Sequence, residues 1–128
     1  MNRGGLLLAG IALMLIAAAA DEDANVMHLT DDSTDRKPLQ TMVPTYPEKA
    51  RRERLTGEVE VCFNVDREGR TSRVAVRRSS HRVFEKPAIL AVRSSTYQPL
   101  PDGRKLSGIK TCRTFRFQLT PVAIEQPQ

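Results

Sequence analysis

The side chains best suited to chemistry are the run Ser79, Ser80 and His81 and the two cysteines, Cys62 and Cys112. A catalytic Ser–His pair needs a hydrogen-bond geometry that sequence neighbours do not supply, and neither a G-x-S-x-G turn nor an orienting acid accompanies this run. We therefore interpret the run as a turn. Cysteines that bind metal or act as nucleophiles need histidine or further cysteine nearby, and the pattern offers none. The sequence predicts no catalytic residue, no metal and no cofactor, so we do not expect an enzyme.

The N-terminus has the layout of a secretory signal: a basic start, an uncharged stretch over residues 4–20, and an A-x-A pattern that ends at Ala20. This layout predicts a cleaved signal peptide and a periplasmic protein. The alternative is an uncleaved inner-membrane anchor, because 17 uncharged residues approach the about 17 to 25 that a membrane-spanning helix needs. In an oxidising compartment, an even cysteine count predicts a disulfide between Cys62 and Cys112, with two free thiols as the alternative.

Charge is divided unevenly along the chain. Residues 21–35 contain six acids and no base, whereas residues 36–128 contain 19 Lys and Arg against nine acids. A basic domain is typical of nucleic-acid binding, but an exported chain does not normally meet nucleic acid, so we interpret the charge as a solvated cationic surface. From these patterns we predict a signal peptide or anchor (1–20), an acidic flexible linker (21–42), a folded domain (43–121) and a tail (122–128).

Within the folded domain, local signals predict a short helix followed by a hairpin. Pro47 at the first helical position and Gly57 just past the end delimit the helix. Alternation over residues 58–65 then predicts a strand with one apolar face. A turn that ends at Gly69, which can adopt positive φ, leads into a second strand around Val74.

Apolar residues at helical spacing predict a second helix that begins near Pro87 and ends before Tyr97, and alternation over residues 109–119 predicts a third strand. The result is an α+β fold, a three-stranded antiparallel sheet with two helices packed on one face. A right-handed crossover places the first strand in the middle and leaves the third strand at an edge. Cys62 and Cys112 then lie on the outward faces of neighbouring antiparallel strands, within bridging distance.

Six motifs occur in register along the folded domain. They are P-x-YP-x-x-A (44–50), G-x-V-x-V-x-F-x-V-x-x-x-G (57–69), V-x-V-x-x-S (74–79), F-x-x-x-A-x-x-A-V (84–92), Y-x-P (97–99) and F-x-F-x-L (115–119). Over about residues 41–120, the pattern resembles the C-terminal domain of the TonB energy-transducer family. The residues assigned to the family motif are Tyr46, Pro47, Gly57 and Gly69. Tyr46 and Pro47 have an alternative role, which is to anchor the first helix.

The resemblance implies a periplasmic domain that binds an envelope protein, with a TonB-dependent outer-membrane transporter as the candidate partner. Such a domain receives an extended TonB-box segment as an added strand, and the exposed backbone of the third strand would accept it. The side chains expected along this docking edge are Lys110, Arg113, Arg116 and Gln118.

Two features depart from a force-transmitting member of that family. Such a protein needs a membrane helix with polar residues for a motor complex and a long proline-rich spacer. Here the leader is entirely apolar, and a flexible linker over residues 21–42 would reach only ~25 Å on average. We therefore expect a binding module that assists transport. The alternatives are a short inner-membrane-anchored transducer and a self-associating envelope protein, such as a homodimer formed through edge strands.

Overall fold

The computed structural model describes residues 22–31 and 36–121. The predicted signal peptide or anchor over residues 1–20 and the predicted tail over residues 122–128 lie outside this range. In the part of the chain that the structure describes, none of the helices has both the length and the apolar character needed to cross a membrane.

The described elements follow one another in a mixed order of strands and short helices. They are β1 (Glu22–Asp31), β2 (Pro38–Gln40), α1 (Glu48–Arg52), β3 (Gly57–Val65), β4 (Thr71–Ser79), a single turn of 3-10 helix (Arg82–Phe84), α2 (Glu85–Arg93), β5 (Thr96–Tyr97) and β6 (Thr111–Pro121).

The main sheet has four strands in the order β1-β6-β3-β4, and every neighbouring pair is antiparallel. The first predicted strand, β3, lies between the second, β4, and the third, β6, as predicted. The α+β class and the antiparallel sheet with two helices are confirmed. Strands β2 and β5 form a separate two-stranded ladder beside the main sheet.

The prediction of a three-stranded sheet is wrong, because residues 22–31 add a fourth strand. Within the range expected to be a flexible linker, residues 21–42, the described residues include the two strands β1 and β2. As a further consequence, β6 is not an edge strand: β1 pairs with its outer side. The physical reason is that unpaired backbone groups of a sheet edge can be satisfied by any extended segment within reach.

The core lies between the sheet and the two helices. Alternation along β3 places Val59, Val61 and Phe63 on the buried face, as predicted, and all three are fully buried. Phe117 of β6 stacks on the Phe84 ring, with 4.3 Å between ring centroids. The buried core cluster consists of Ala50, Val59, Val61, Phe63, Phe84, Ala88, Val92, Tyr97, Phe115 and Phe117.

The helix ends differ from their predicted positions by a few residues. Helix α1 ends at Arg52, and Arg54 turns the chain with a φ of 56°, so the helix does not extend to the residue before Gly57. Gly57 is instead the first residue of β3. Helix α2 begins at Glu85, so Pro87 lies in the first turn. Backbone N–H groups in the first turn form no hydrogen bond within the helix, so the N–H that proline lacks is not needed there.

Candidate functional site

The outer side of β6 is engaged by an extended segment along most of its length. The β1 register runs from Glu22 opposite Pro121 to Asp31 opposite Arg113, with one irregularity after His28. On its other side, β6 pairs with β3 in an unbroken register. We call the outer side of β6, over residues 113–121, the β6 edge.

Side chains of β6 alternate between the core and the outer face of the sheet. Phe115 and Phe117 point into the core and are 1% and 0% exposed, which fixes the strand's orientation. Val26 of β1 lies opposite Phe117 and packs against the core as a partly buried side chain. A strand that adds to the β6 edge therefore offers every second side chain to an apolar surface and the others to the polar outer face.

A short hydrogen-bond network joins β1 to the outer face of β6. The Gln118 Nε2 donates to Asn25 Oδ1 at 2.9 Å, and Asn25 Nδ2 donates to Thr120 Oγ1 at 2.8 Å. Both oxygens and both nitrogens belong to side chains, so these bonds depend on residue type, whereas the strand pairing itself depends only on backbone. Gln118 and Thr120 thus hold β1 through side-chain hydrogen bonds in addition to the backbone pairing.

Strand β1 is held by pairing far more than by burial. Of the β1 side chains whose burial the structure describes, Asp23 to His28, none is buried, and Met27 is 46% exposed. The His28 ring lies 5.9 Å from the Phe115 ring. Because burial of apolar area dominates the stability of a packed element, a strand with these contacts is anchored weakly relative to β3 or β6.

The four side chains predicted along the docking edge occupy different environments. Gln118 contacts β1, as just described. Arg116 forms an ion pair with Glu58 of β3, with 2.9 Å between Nη2 and Oε1, and Lys110 precedes β6 on an exposed stretch. The sequence interpretation did not include Thr120, although it lies on the same face as Gln118 by the two-residue period of the strand.

Arg113 is buried, and the expectation that it lines an exposed edge is wrong. It lies opposite Val61 on the core side of the sheet and is 1% exposed. Its guanidinium carbon lies 5.5 Å from the centroid of the Tyr97 ring, and Nη1 donates to Ser95 Oγ at 3.3 Å. The alternation that places Phe115 in the core also places Arg113 there, so the residue stabilises the end of the core.

The predicted disulfide is confirmed: Cys62 and Cys112 are bonded, and they lie directly opposite each other in the β3–β6 register. The bond ties the beginning of β6 to the central strand of the sheet. Among residues 22–31 and 36–121, no group of three His, Cys, Asp or Glu side chains is placed to hold a metal ion.

The run begins at Ser79, the last residue of β4, and Ser80 and His81 follow in the connection to the second helix. Ser79 Oγ donates to a Glu85 carboxylate oxygen, and Ser80 Oγ accepts from the Glu58 backbone N–H at 2.8 Å. The His81 ring packs edge-on to the Phe84 ring at 6.1 Å. These contacts belong to a turn that links β4 to the second helix.

The tyrosine and proline of the family motif anchor the first helix. The Tyr46 ring meets the Phe84 and Phe117 rings edge-on, at 5.7 and 5.6 Å, and its hydroxyl donates to the Leu55 carbonyl. Burial raises the pKa of Tyr46 above its ordinary value. Pro47 is the residue immediately before α1.

Two motif glycines occur where a side chain would not fit. A Cβ on Gly57 would lie 2.1 Å from Ser80 Oγ. Gly69 has a φ of 86°, and a Cβ there would lie 2.0 Å from the Tyr97 carbonyl oxygen, because Tyr97 N–H donates to the Gly69 carbonyl at 2.8 Å. Gly57 lies on the β3 side of β6, opposite Phe117, whereas Gly69 shapes the turn between β3 and β4.

Taken together, the fold and the β1 pairing define a small antiparallel α+β domain whose sheet accepts an extended segment at one side. The profile of the family described as Gram-negative bacterial TonB protein C-terminal matches residues 42–119, more than half of the chain. The chain therefore belongs to this family. Strand β1 lies outside the matched residues.

One curated relative and two solved structures are similar to this chain. Protein TonB of Pseudomonas aeruginosa is 27% identical over 89 residues, which are 69% of this chain and 26% of that protein. The chain thus spans about a quarter of the relative's length. A solved structure of the TonB2 protein from Vibrio anguillarum superposes with a TM-score of 0.51 at 26% identity, covering 70% of this chain and 89% of that one. The solution structure of the Pseudomonas aeruginosa TonB C-terminal domain gives a TM-score of 0.48 at 26% identity, with coverages of 76% and 94%.

Proposed function

We propose that the chain is an exported, non-enzymatic binding module of the TonB family. It recognises an extended segment of an envelope protein, with an outer-membrane transporter as the candidate partner, and it does so by strand addition at the β6 edge. The family assignment over residues 42–119 supports a TonB-like domain. The disulfide between Cys62 and Cys112 supports an oxidising compartment such as the periplasm.

The observation that carries the proposal is the β1–β6 pairing. Within the family-matched residues 42–119, β6 is the outer strand on its side of the sheet, and a segment from outside that range pairs with it. The edge thus accommodates an extended segment of ten residues in antiparallel pairing. Main-chain hydrogen bonds would supply affinity for a partner segment, and pockets for alternate side chains would supply selectivity.

The opposite side of the sheet is less suited to strand addition. Strand β4 pairs with β3 through two register irregularities, and Arg73 within it has a φ of 51°. Bulges of this kind twist a strand and interrupt the row of hydrogen-bonding groups that a partner would need. Arg77 and Arg78 add positive charge, and both are only loosely paired with Glu60, at 3.6 and 3.5 Å. Strand addition, including self-association through edges, is therefore directed to β6.

Amide chemical-shift mapping with a synthetic TonB-box peptide from an outer-membrane transporter tests the proposal. We expect the largest shift changes along residues 111–121 and in β1. A peptide of the same length with proline at alternate positions is the control, because proline cannot donate to the ladder. Val43 and Leu90 line a separate surface groove. Shift changes confined to that groove, or to β4, would contradict strand addition at the β6 edge.

A further inference from the structure

The β6 edge can hold one strand at a time, and in this structure it holds β1. A partner segment that adds to the same backbone groups must therefore compete with Glu22–Asp31. We propose that β1 is a tethered internal ligand that closes the β6 edge, and that a partner binds by displacing it with an extended segment of related side-chain pattern. This inference rests on the proposed strand-addition function and adds to it a means of control.

Displacement of β1 would leave the rest of the domain intact. Among the β1 side chains whose burial the structure describes, Asp23 to His28, none belongs to the buried core cluster, and Val26 packs against it as a partly buried residue. The core is instead built by β3, β6 and the helices, and the disulfide joins β6 to β3 independently of β1. The family match begins at residue 42, after β1 has ended. Strand β1 is therefore an addition to a domain whose own core is complete.

The contacts of β1 suit a competitor better than a permanent strand. Its pairing with β6 extends over nearly the whole β6 edge, yet Met27 is 46% exposed and no β1 side chain described by the structure is buried. A tether raises the local concentration of such a weak ligand into the millimolar range, which is enough to keep the edge closed when no partner is present. The apparent affinity of a partner is then reduced by the fraction of molecules in which the edge is open.

The side chains of β1 also indicate the kind of segment that can replace it. An aliphatic side chain opposite Phe117 covers the edge of the core, as Val26 does. A hydrogen-bonding side chain of asparagine size opposite Gln118 reaches both Gln118 and Thr120, as Asn25 does at 2.9 and 2.8 Å. The partner segment is therefore expected to be extended and free of proline, with an aliphatic residue next to an Asn-like residue.

A pair of neighbouring substitutions in β1 separates docking from other effects. Val26→Asp places a carboxylate against the apolar core and should release β1, because burying an unpaired charge is strongly unfavourable. Met27→Asp adds the same charge on the exposed face of the same strand and is the matched control. In Val26→Asp, β6 amides should lose protection from hydrogen exchange, while those of the β3–β4 pair should keep it.

Binding is then measured by fluorescence anisotropy with two probes on each purified full-length variant. One probe is a synthetic copy of residues 22–31, and the other is the TonB-box peptide. Both should bind Val26→Asp at least about tenfold more tightly than they bind the wild type, because the open fraction rises. Met27→Asp should bind within about twofold of the wild type.

The outcomes distinguish the two proposals. If either probe binds the wild type and Val26→Asp with equal affinity, although hydrogen exchange shows that β6 has opened in the variant, closure by β1 is refuted. If the copy of residues 22–31 gains affinity for Val26→Asp but the TonB-box peptide binds neither protein, closure stands and the proposed partner class is wrong. If neither probe binds the opened edge, strand addition itself is refuted. If β6 stays protected in Val26→Asp and also in an Ala24→Asp/Val26→Asp double variant, β1 is a permanent strand and the inference is wrong.

Discussion

Removing the Cys62–Cys112 disulfide should cost this domain a large share of its stability. The two residues are 50 apart in sequence. On the chain-entropy model, closing a loop of that length lowers the entropy of the unfolded chain by about 14 cal/mol/K, which is about 4 kcal/mol at 25 °C. Small domains have total unfolding free energies of about 5 to 15 kcal/mol. The loss would therefore remove between about a quarter and four-fifths of that free energy.

Urea unfolding of Cys62→Ala/Cys112→Ala against the wild type measures this effect. At a slope of about 1 to 3 kcal/mol per molar urea, a loss of about 4 kcal/mol lowers the midpoint by about 1.3 to 4 M. Reductant provides the control: it should shift the wild type to the midpoint of the double variant and leave the double variant unchanged. The reasoning is refuted if reductant does not move the wild-type midpoint, or if a thiol reagent labels both cysteines in unreduced protein.

Three further predictions concern positions with matched partners or a titratable group. In urea unfolding, Gly69→Ala should lower the free energy of unfolding by more than about 3 kcal/mol, whereas Gly103→Ala should lower it by about 1 to 2 kcal/mol. The two glycines have similar φ, 86° and 84°, but only at Gly69 would a Cβ meet backbone. Arg113→Ala should lower the free energy of unfolding by about 2 to 3 kcal/mol, because its guanidinium is buried. Arg116→Ala should lower it by less than about 1 kcal/mol, because its ion pair is exposed. Thermal unfolding of the two variants compares these effects. Tyr46→Phe should cost about 1 kcal/mol at about pH 7 through loss of its hydroxyl's hydrogen bond. Because burial raises the pKa of Tyr46 above 10.0, its neutral form stabilises the fold below that pH. This stability is lost as pH rises further. The difference in free energy of unfolding between the wild type and Tyr46→Phe, measured with urea, should therefore be smaller at about pH 11 than at about pH 7.

Strongly amphipathic patterns made the central part of the fold predictable. The alternation of Val59, Val61 and Phe63 identifies the buried face of β3, and the same period in β6 places Cys112 opposite Cys62. Both patterns reflect burial of large apolar side chains, which residue type reports directly. The strand order and the disulfide follow from these faces together with the crossover rule.

Strand β1 escaped prediction because backbone pairing has little sequence signature. Its core-facing side includes one partly buried β-branched residue, Val26, among acidic and polar neighbours typical of linkers. The buried position of Arg113 runs against its residue type, because charged side chains are almost never fully buried unless they are paired. Period-two alternation from Phe115 places the guanidinium on the core side, where it contacts the Tyr97 ring and the Ser95 hydroxyl.

The central claim, that the β6 edge binds extended segments and is closed by β1, is tested most directly by cross-strand nuclear Overhauser contacts. In the free protein, Ala24 should show contacts to Leu119 and Asn25 to Gln118, their register partners. On saturation with the TonB-box peptide, these contacts should disappear and be replaced by contacts between the peptide and the same β6 residues. Persistence of the β1–β6 contacts in the saturated complex would contradict the account.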